Sequence, residues 1–276
     1  MRETKNKTLS VTLVPERDLK EFSLCNNNIL AAVFYGNNTS ISLSQDYLRV
    51  PVSLPQVGEE PLVEVWVSDL PNEVNQFENI YYAANSEMVF GSINFRETKT
   101  DGLDKLAFRA YKEILSFLDR IEFPFLARCW NYFPDINLES NGIERYKLFC
   151  SGRHEAFLKK YQSMHGYLPA ASAVGSQSGP LTINFIAARN CTGEHIENPR
   201  QVSAYKYPTS YGEHSPSFAR ATYIDWGESK YLYVAGTASI IGHKSCHIDN
   251  PLLQLQETQE NLDSLLNHSR HLLNRN

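Results

Sequence analysis

Between residues 103 and 118, Leu103, Leu106, Ala107, Ala110, Tyr111, Ile114, Leu115 and Leu118 recur at the spacing of one helical face. The runs on either side have another period. Ile29–Tyr35, Ser40–Ser44 and Val63–Val67 are apolar or β-branched, and turn residues such as Gly36-Asn37-Asn38 separate them, as strands require. Asn79–Ala83 and Met88–Phe95 predict a hairpin across Asn85-Ser86, and Phe125–Tyr132 predicts a strand after Pro124. Asp101 is the expected N-cap of the helix. A helix with one apolar stripe, flanked by strands, buries that stripe on a sheet. The expected fold class is therefore α+β, a mixed sheet with helices packed on one face.

The second half follows the same order. Asn141 and Glu144 have capping-box spacing and predict a helix to about Gln162, with Ile143, Tyr146, Cys150, Phe157 and Tyr161 on one side. Ala170–Gly179 reads as a loop of small residues and Leu181–Arg189 as a strand. Ala219–Trp226 and Tyr231–Ile241 read as strands, and a last helix starts at Asn250 with Pro251 in its first turn. Leu255, Leu262 and Leu266 share a face of that helix. Two lobes are expected, residues 1–137 and residues 138–276.

Composition excludes several classes. With 42% hydrophobic residues, 15 Tyr and 14 Phe in 276 residues, the chain can bury a full core. A net charge of −5 gives no footprint for nucleic acid. No apolar stretch approaches membrane-spanning length, and Met1–Pro15 has no apolar run of a signal peptide. The five cysteines are scattered and odd in number, which fits reduced thiols in the cytoplasm. Composition does not fix the oligomeric state.

The densest polar-aromatic stretch runs from Glu197 to Ala221. A loop this long in a compact domain is functional or disordered, and its aromatic content argues against disorder. Arg200 and Arg220 can each grip a carboxylate in fork geometry. Tyr205, Tyr207 and Tyr211 offer hydroxyls on flat apolar faces. That mixture suits a small, flat, anionic ring; packed tyrosines and ordinary surface arginine pairs fit the composition equally well. Arg153 follows Gly152, which costs about 1 kcal/mol in a helix interior relative to Ala, and packing is the favoured reason for that glycine. Gly236-Thr237-Ala238-Ser239 closes a strand in small and hydroxyl residues. His243, Cys246 and His247 lack a nearby fourth ligand, so no metal site is expected.

Taken together these stretches resemble the chorismatase family. The resemblance is carried by Arg128–Asn137, Glu144-Arg145-Tyr146, Phe149–Arg153 and Pro169–Gly175, and most strongly by Glu197–Tyr207, Ser215–Ala221, Gly236–His243 and the helix of Glu257-Thr258 and Asn261-Leu262. It implies two RidA-like lobes and a pocket for chorismate, a planar ring dianion with an enolpyruvyl ether. It implies carboxylate clamping by Arg153, Arg200, Tyr205, Tyr211 and Arg220, with Thr237 and Ser239 at the pocket wall. The reaction implied is protonation of the enol ether's methylene carbon, addition of water and loss of pyruvate, leaving a hydroxybenzoate or dihydroxycyclohexadiene acid, with no cofactor. In the family a glutamate on a strand beyond the last helix is the acid. No residue up to Asn276 matches its motif, so the second lobe is expected to be incomplete at its C-terminus and the catalytic residue is left open. A relative that only binds the ring acid, and a non-catalytic RidA-like interaction protein, stay open as alternatives.

Overall fold

The computed structural model describes residues 9–274 apart from 27, 37–39, 45, 190–192 and 228. Cys191 and the Asn37-Asn38 turn lie outside the described residues. Strand β1 (Leu9–Pro15) leads through helix α1 (Leu19–Cys25) to β2 (Ile29–Tyr35), β3 (Ser42–Leu43), β4 (Leu48–Val52) and β5 (Leu62–Ser68). These five strands form one sheet in the order β1-β5-β2-β4-β3. The polar N-terminal sequence gave no expectation of β1, which pairs along its whole length with β5.

The chain continues through β6 (Glu73–Phe77), β7 (Ile80–Ala84), β8 (Met88–Phe95), helix α2 (Leu103–Arg120) and β9 (Phe125–Pro134). A ribbon of β10 (Glu139–Ser140) and β11 (Ile143–Glu144) precedes helix α3 (Arg145–Tyr161), then β12 (Ala170–Ser176) and β13 (Leu181–Ala188). The second sheet has six strands in the order β12-β9-β13-β8-β7-β6. It draws strands from both sides of position 137, because β9 pairs in parallel with β12 and antiparallel with β13.

The eight apolar residues of the α2 stripe are all buried. They face a core shared with α3 and one face of the six-stranded sheet, centred on Tyr111, Phe117, Phe133, Phe157 and Phe185. The sheet's other face packs on the five-stranded sheet through Trp66, Phe90 and Trp130, with the two indoles edge to face at 5.5 Å. A third sheet of β14 (Glu194–Ile196), β15 (Ala221–Asp225) and β16 (Lys230–Val234) is antiparallel. It docks at the edge strand β12, where the Ala170 N–H donates to Thr222 Oγ1 at 2.9 Å. The ribbon of β17 (Ile240–Ile241) and β18 (Lys244–Ser245) leads to helix α4 (Pro251–Leu273). No helix among the described residues is long and apolar enough to cross a membrane.

Three local expectations are corrected. The N-cap of α2 is Gly102, not Asp101, and it makes no side-chain cap bond. Asn141 does not start α3. Asn141 and Gly142 have φ of 54° and 78° and turn the ribbon between Ser140 and Ile143. An Asn-Gly pair in the left-handed region is the strongest short hairpin signal, and it displaces the capping box. The small-residue segment after Pro169 is a strand, stabilised by seven parallel pairings with β9 rather than by its own propensity. On α4 the Asn250 side chain does cap, accepting from the Leu253 N–H at 3.1 Å. The helix buries Glu257, Asn261, Leu265 and Ser269, while Leu255 and Leu266 are exposed. A polar network, described below, fixes that rotation.

Candidate active site

Gly152 positions the first element of the site. A Cβ there would come within 1.9 Å of the Asp104 carbonyl oxygen, so only glycine lets α3 cross α2 this closely. The next residue, Arg153, is 3% exposed. Its guanidinium lies 4.5 Å over the Tyr111 ring, and Nη1 donates to the Tyr111 hydroxyl at 2.8 Å. That hydroxyl donates to Asn131 Oδ1 at 2.5 Å, and Asn131 Nδ2 donates to the Ser172 carbonyl at 2.8 Å. The chain of bonds runs from α3 through α2 and β9 to β12 and fixes where Arg153 points. Among the described residues, Nε and Nη2 of Arg153 have no hydrogen-bond partner and no carboxylate lies within salt-bridge distance.

Arg220, just before β15, is also 3% exposed. Its Nη2 donates to the Val202 carbonyl at 3.1 Å and to the Tyr207 hydroxyl at 2.8 Å, while Nε has no partner among the described residues. Arg153, Arg220, Tyr207, Tyr211 and Thr237 line one cavity of about 590 Å³. Asn131, Ser172 and Ser217 add polar groups to its wall, and Phe149 and Phe218 add aromatic ones. Tyr211 packs at 5.5 Å from Tyr207 and shares a 3.1 Å hydrogen bond with His243 Nδ1. Burial pushes the Cys150 thiol at this wall up to about 12, which keeps it protonated and inert. Glu197 lies near Arg220 but beyond salt-bridge distance, and burial raises its carboxyl to about 7. Two buried guanidiniums with no carboxylate within 4 Å among the described residues, set in an aromatic cavity, form a receptor for an anion with a flat apolar body.

Of the residues expected at a binding site, the structure brings together Arg153, Tyr211, Arg220 and Thr237. It does not bring Arg200, Tyr205 or Ser239 to the cavity wall. Arg200 Nη2 lies 2.6 Å from Glu257 and 3.1 Å from Glu260, and Nη1 donates to Asn261 Oδ1 at 3.1 Å. Glu257 also meets His247 at 3.4 Å. Arg200 thereby holds α4 against the loop. Tyr205 packs on the helix-side core, and Ser239 Oγ donates to the Cys246 carbonyl at 3.0 Å. Tyr207, grouped with Tyr205 and Tyr211 on residue type, also lines the cavity, whereas Asn131 and Ser172 are cavity residues that residue type did not single out, although both fall in the stretches that carry the family resemblance.

A second cavity, of about 360 Å³, lies near Tyr82, Phe123 and Arg189. There the arginine is already engaged, with Glu122 at 3.2 Å, the Ser86 carbonyl at 3.1 Å and the Phe123 ring at 4.2 Å. It offers no open cationic group of the kind found in the larger cavity.

Comparison with known proteins points the same way. Residues 64–187 match the family model described as chorismatase FkbO/Hyg5-like, N-terminal. The chain is 34% identical over 245 residues to a 3-hydroxybenzoate synthase of Streptomyces hygroscopicus, covering 87% of this chain and 71% of that protein. It is 31% identical over 236 residues to a chorismatase of the same organism, covering 85% and 68%. A crystal structure of a chorismatase superposes with a TM-score of 0.86 at 28% identity, covering 95% of this chain and 78% of that one.

Proposed function

The chain belongs to the chorismatase family, and on that premise we propose that it hydrolyses the enol ether of chorismate. The products are pyruvate and a hydroxybenzoate or dihydroxycyclohexadiene carboxylate. One observation carries the assignment: Arg153 and Arg220 are buried at a single cavity with nitrogens left unpaired. An uncompensated buried charge is strongly unfavourable unless a ligand supplies its partner. Chorismate brings two carboxylates on a flat ring, one for each guanidinium. Tyr207 and Tyr211 cover the ring's face, and Thr237 offers a hydroxyl at the wall.

Proton transfer to the methylene carbon needs an acid that keeps its proton near neutral pH. Glu144 is the carboxyl residue lining the cavity, but it sits at the entry of α3 with Lys147 at 3.9 Å, and we assign it no such role. The proton donor is left unassigned. We place the protein in the cytoplasm, acting on a small molecule rather than on nucleic acid. Cys25, Cys129, Cys150 and Cys246 are free thiols, and the net charge of −5 does not favour a polyanion.

The test is to incubate purified protein with chorismate and follow pyruvate. Release above the buffer control, abolished in Arg153→Met and Arg220→Met, is the expected result. Release no faster than the control from correctly folded protein would overturn the proposal.

A further inference from the structure

Ser172 on β12 lies at the wall of the same cavity. Its Oγ receives two hydrogen bonds, from Arg128 Nη2 at 2.5 Å and from the Gly236 N–H at 3.2 Å. A serine hydroxyl has two lone pairs and one hydrogen. Both lone pairs are taken, so only the hydrogen is left to give, and no acceptor among the described residues takes it.

Arg128 is an unusual partner for that hydroxyl. It is 6% exposed, its guanidinium lies 5.2 Å over the Trp130 ring, and its Nη1 has no hydrogen-bond partner among the described residues. Among the described residues no carboxylate lies within 4 Å of it. Its pKa is lowered to about 10, chiefly by burial and also by the nearby Arg153, against the opposing effects of Cys129, Tyr132 and Tyr111, so it is still a cation at neutral pH. A full positive charge therefore stands behind Ser172 and polarises the one hydrogen the serine can donate. Charge-assisted donors of this kind are suited to anionic oxygens.

We propose that Ser172 is a third anion-contacting group of the site, donating its hydroxyl to a carboxylate oxygen of the bound ring acid, with Arg128 as the positioning residue behind it. This rests on the chorismate reading above. It extends that reading from two buried guanidiniums to a third cation that acts through a hydroxyl. The arrangement delivers charge without a long side chain in the cavity, because Arg128 is not among the cavity-lining residues and only a small donor reaches the ligand.

The experiment is calorimetric titration of the full chain with chorismate, using wild type, Ser172→Ala and Ser172→Thr. The alanine variant is expected to raise the dissociation constant about tenfold to a hundredfold, and the threonine variant to stay within about threefold of wild type. Threonine keeps the donor and adds bulk, so a role in packing alone would make it as harmful as alanine or worse. Equal losses in both variants, or no loss in alanine, overturn the role of Ser172 and leave the chorismate assignment standing. Absence of chorismate binding to wild type overturns both.

Discussion

A guanidinium as buried as that of Arg153, with two nitrogens unpaired, is a poor element of a stable core. Its retention is explained by binding rather than by stability, and the two can be separated. Arg153→Met replaces an uncompensated buried cation by an apolar side chain of similar length. Chorismate affinity should fall by about a hundredfold or more, since truncating one partner of a buried charge pair costs about 2–5 kcal/mol. The melting temperature should hold or rise by a few degrees, at about 2–4 °C per kcal/mol for a chain of this size. Parallel titration and thermal denaturation check this; a variant that loses stability in step with affinity would count against it. Glu197 gives a second test beside Arg220. Burial raises its carboxyl from 4.5 to about 7, against the pull of Arg220, the Ser203 hydroxyl and Lys206, and its Oε2 has no hydrogen-bond partner among the described residues. Between those two values the folded chain holds a proton that the unfolded chain has released. Stability from this group is thus greatest below pH 4.5, falls as pH rises, and its loss is complete above about 7. Glu197→Gln should match wild type near pH 5 and exceed it by roughly 1–3 kcal/mol at pH 8. A difference that does not change with pH would refute the buried-carboxyl account.

Elements declared themselves in the sequence where local period and tertiary demand agree. The α2 stripe is one case, since all eight of its spaced residues are buried. The run Ile29–Tyr35 is another, a strand with both faces covered. Legibility failed where an element is held by its neighbours. The segment Ala-Ala-Ser-Ala-Val-Gly-Ser has weak strand propensity, yet β9 offers it a full ladder. The rotation of α4 was not legible either, because Glu257 and Asn261 are drawn inward by Arg200 and by the Ala238 and Ile240 carbonyls, leaving Leu255 and Leu266 outside. Of the site, the cationic and phenolic chemistry was readable in residue type, but which arginine faces the cavity depended on helix contacts that no spacing encodes. The α2–α3 crossing supplies the prediction at this scale. Gly152→Ala would drive a methyl into backbone atoms of α2, with the Asp104 oxygen at 1.9 Å and the Phe108 nitrogen at 2.8 Å. Backbone cannot yield as a side-chain tip can, so the cost should be about 3 kcal/mol or more. Because Arg153 is the next residue, chorismate affinity should drop as well. Chemical denaturation and titration on one preparation would show both, and a neutral substitution would mean that the helices cross less tightly than described.

At the scale of the whole molecule, the cavity is assembled across a seam. One wall belongs to α3 and the edge strand β12, and the other to the segment between β14 and β15 and the turn after β16. Docking of the third sheet on β12 is therefore a condition for the site to exist, not an addition to it. The far side of that sheet is braced by α4, which gives Arg200 a different task from that of Arg153 and Arg220. Arg200 joins the segment after β14 to Glu257, which is 8% exposed, and to Asn261, which is fully buried. Removing Arg200 leaves the Glu257 carboxylate with His247 as its remaining neighbour at 3.4 Å, a weaker partner for a buried charge. Arg200→Ala should therefore raise amide exchange across residues 251–273 while the α2–α3 core keeps its protection, the pattern of local rather than global opening. Chorismate affinity should fall less than in Arg153→Met, because the seam loosens but both cavity guanidiniums stay in place. Hydrogen exchange by mass spectrometry separates the cases. Unchanged protection of α4, together with an affinity loss as large as that of Arg153→Met, would place Arg200 in the binding site and reverse the division of labour between grip and brace.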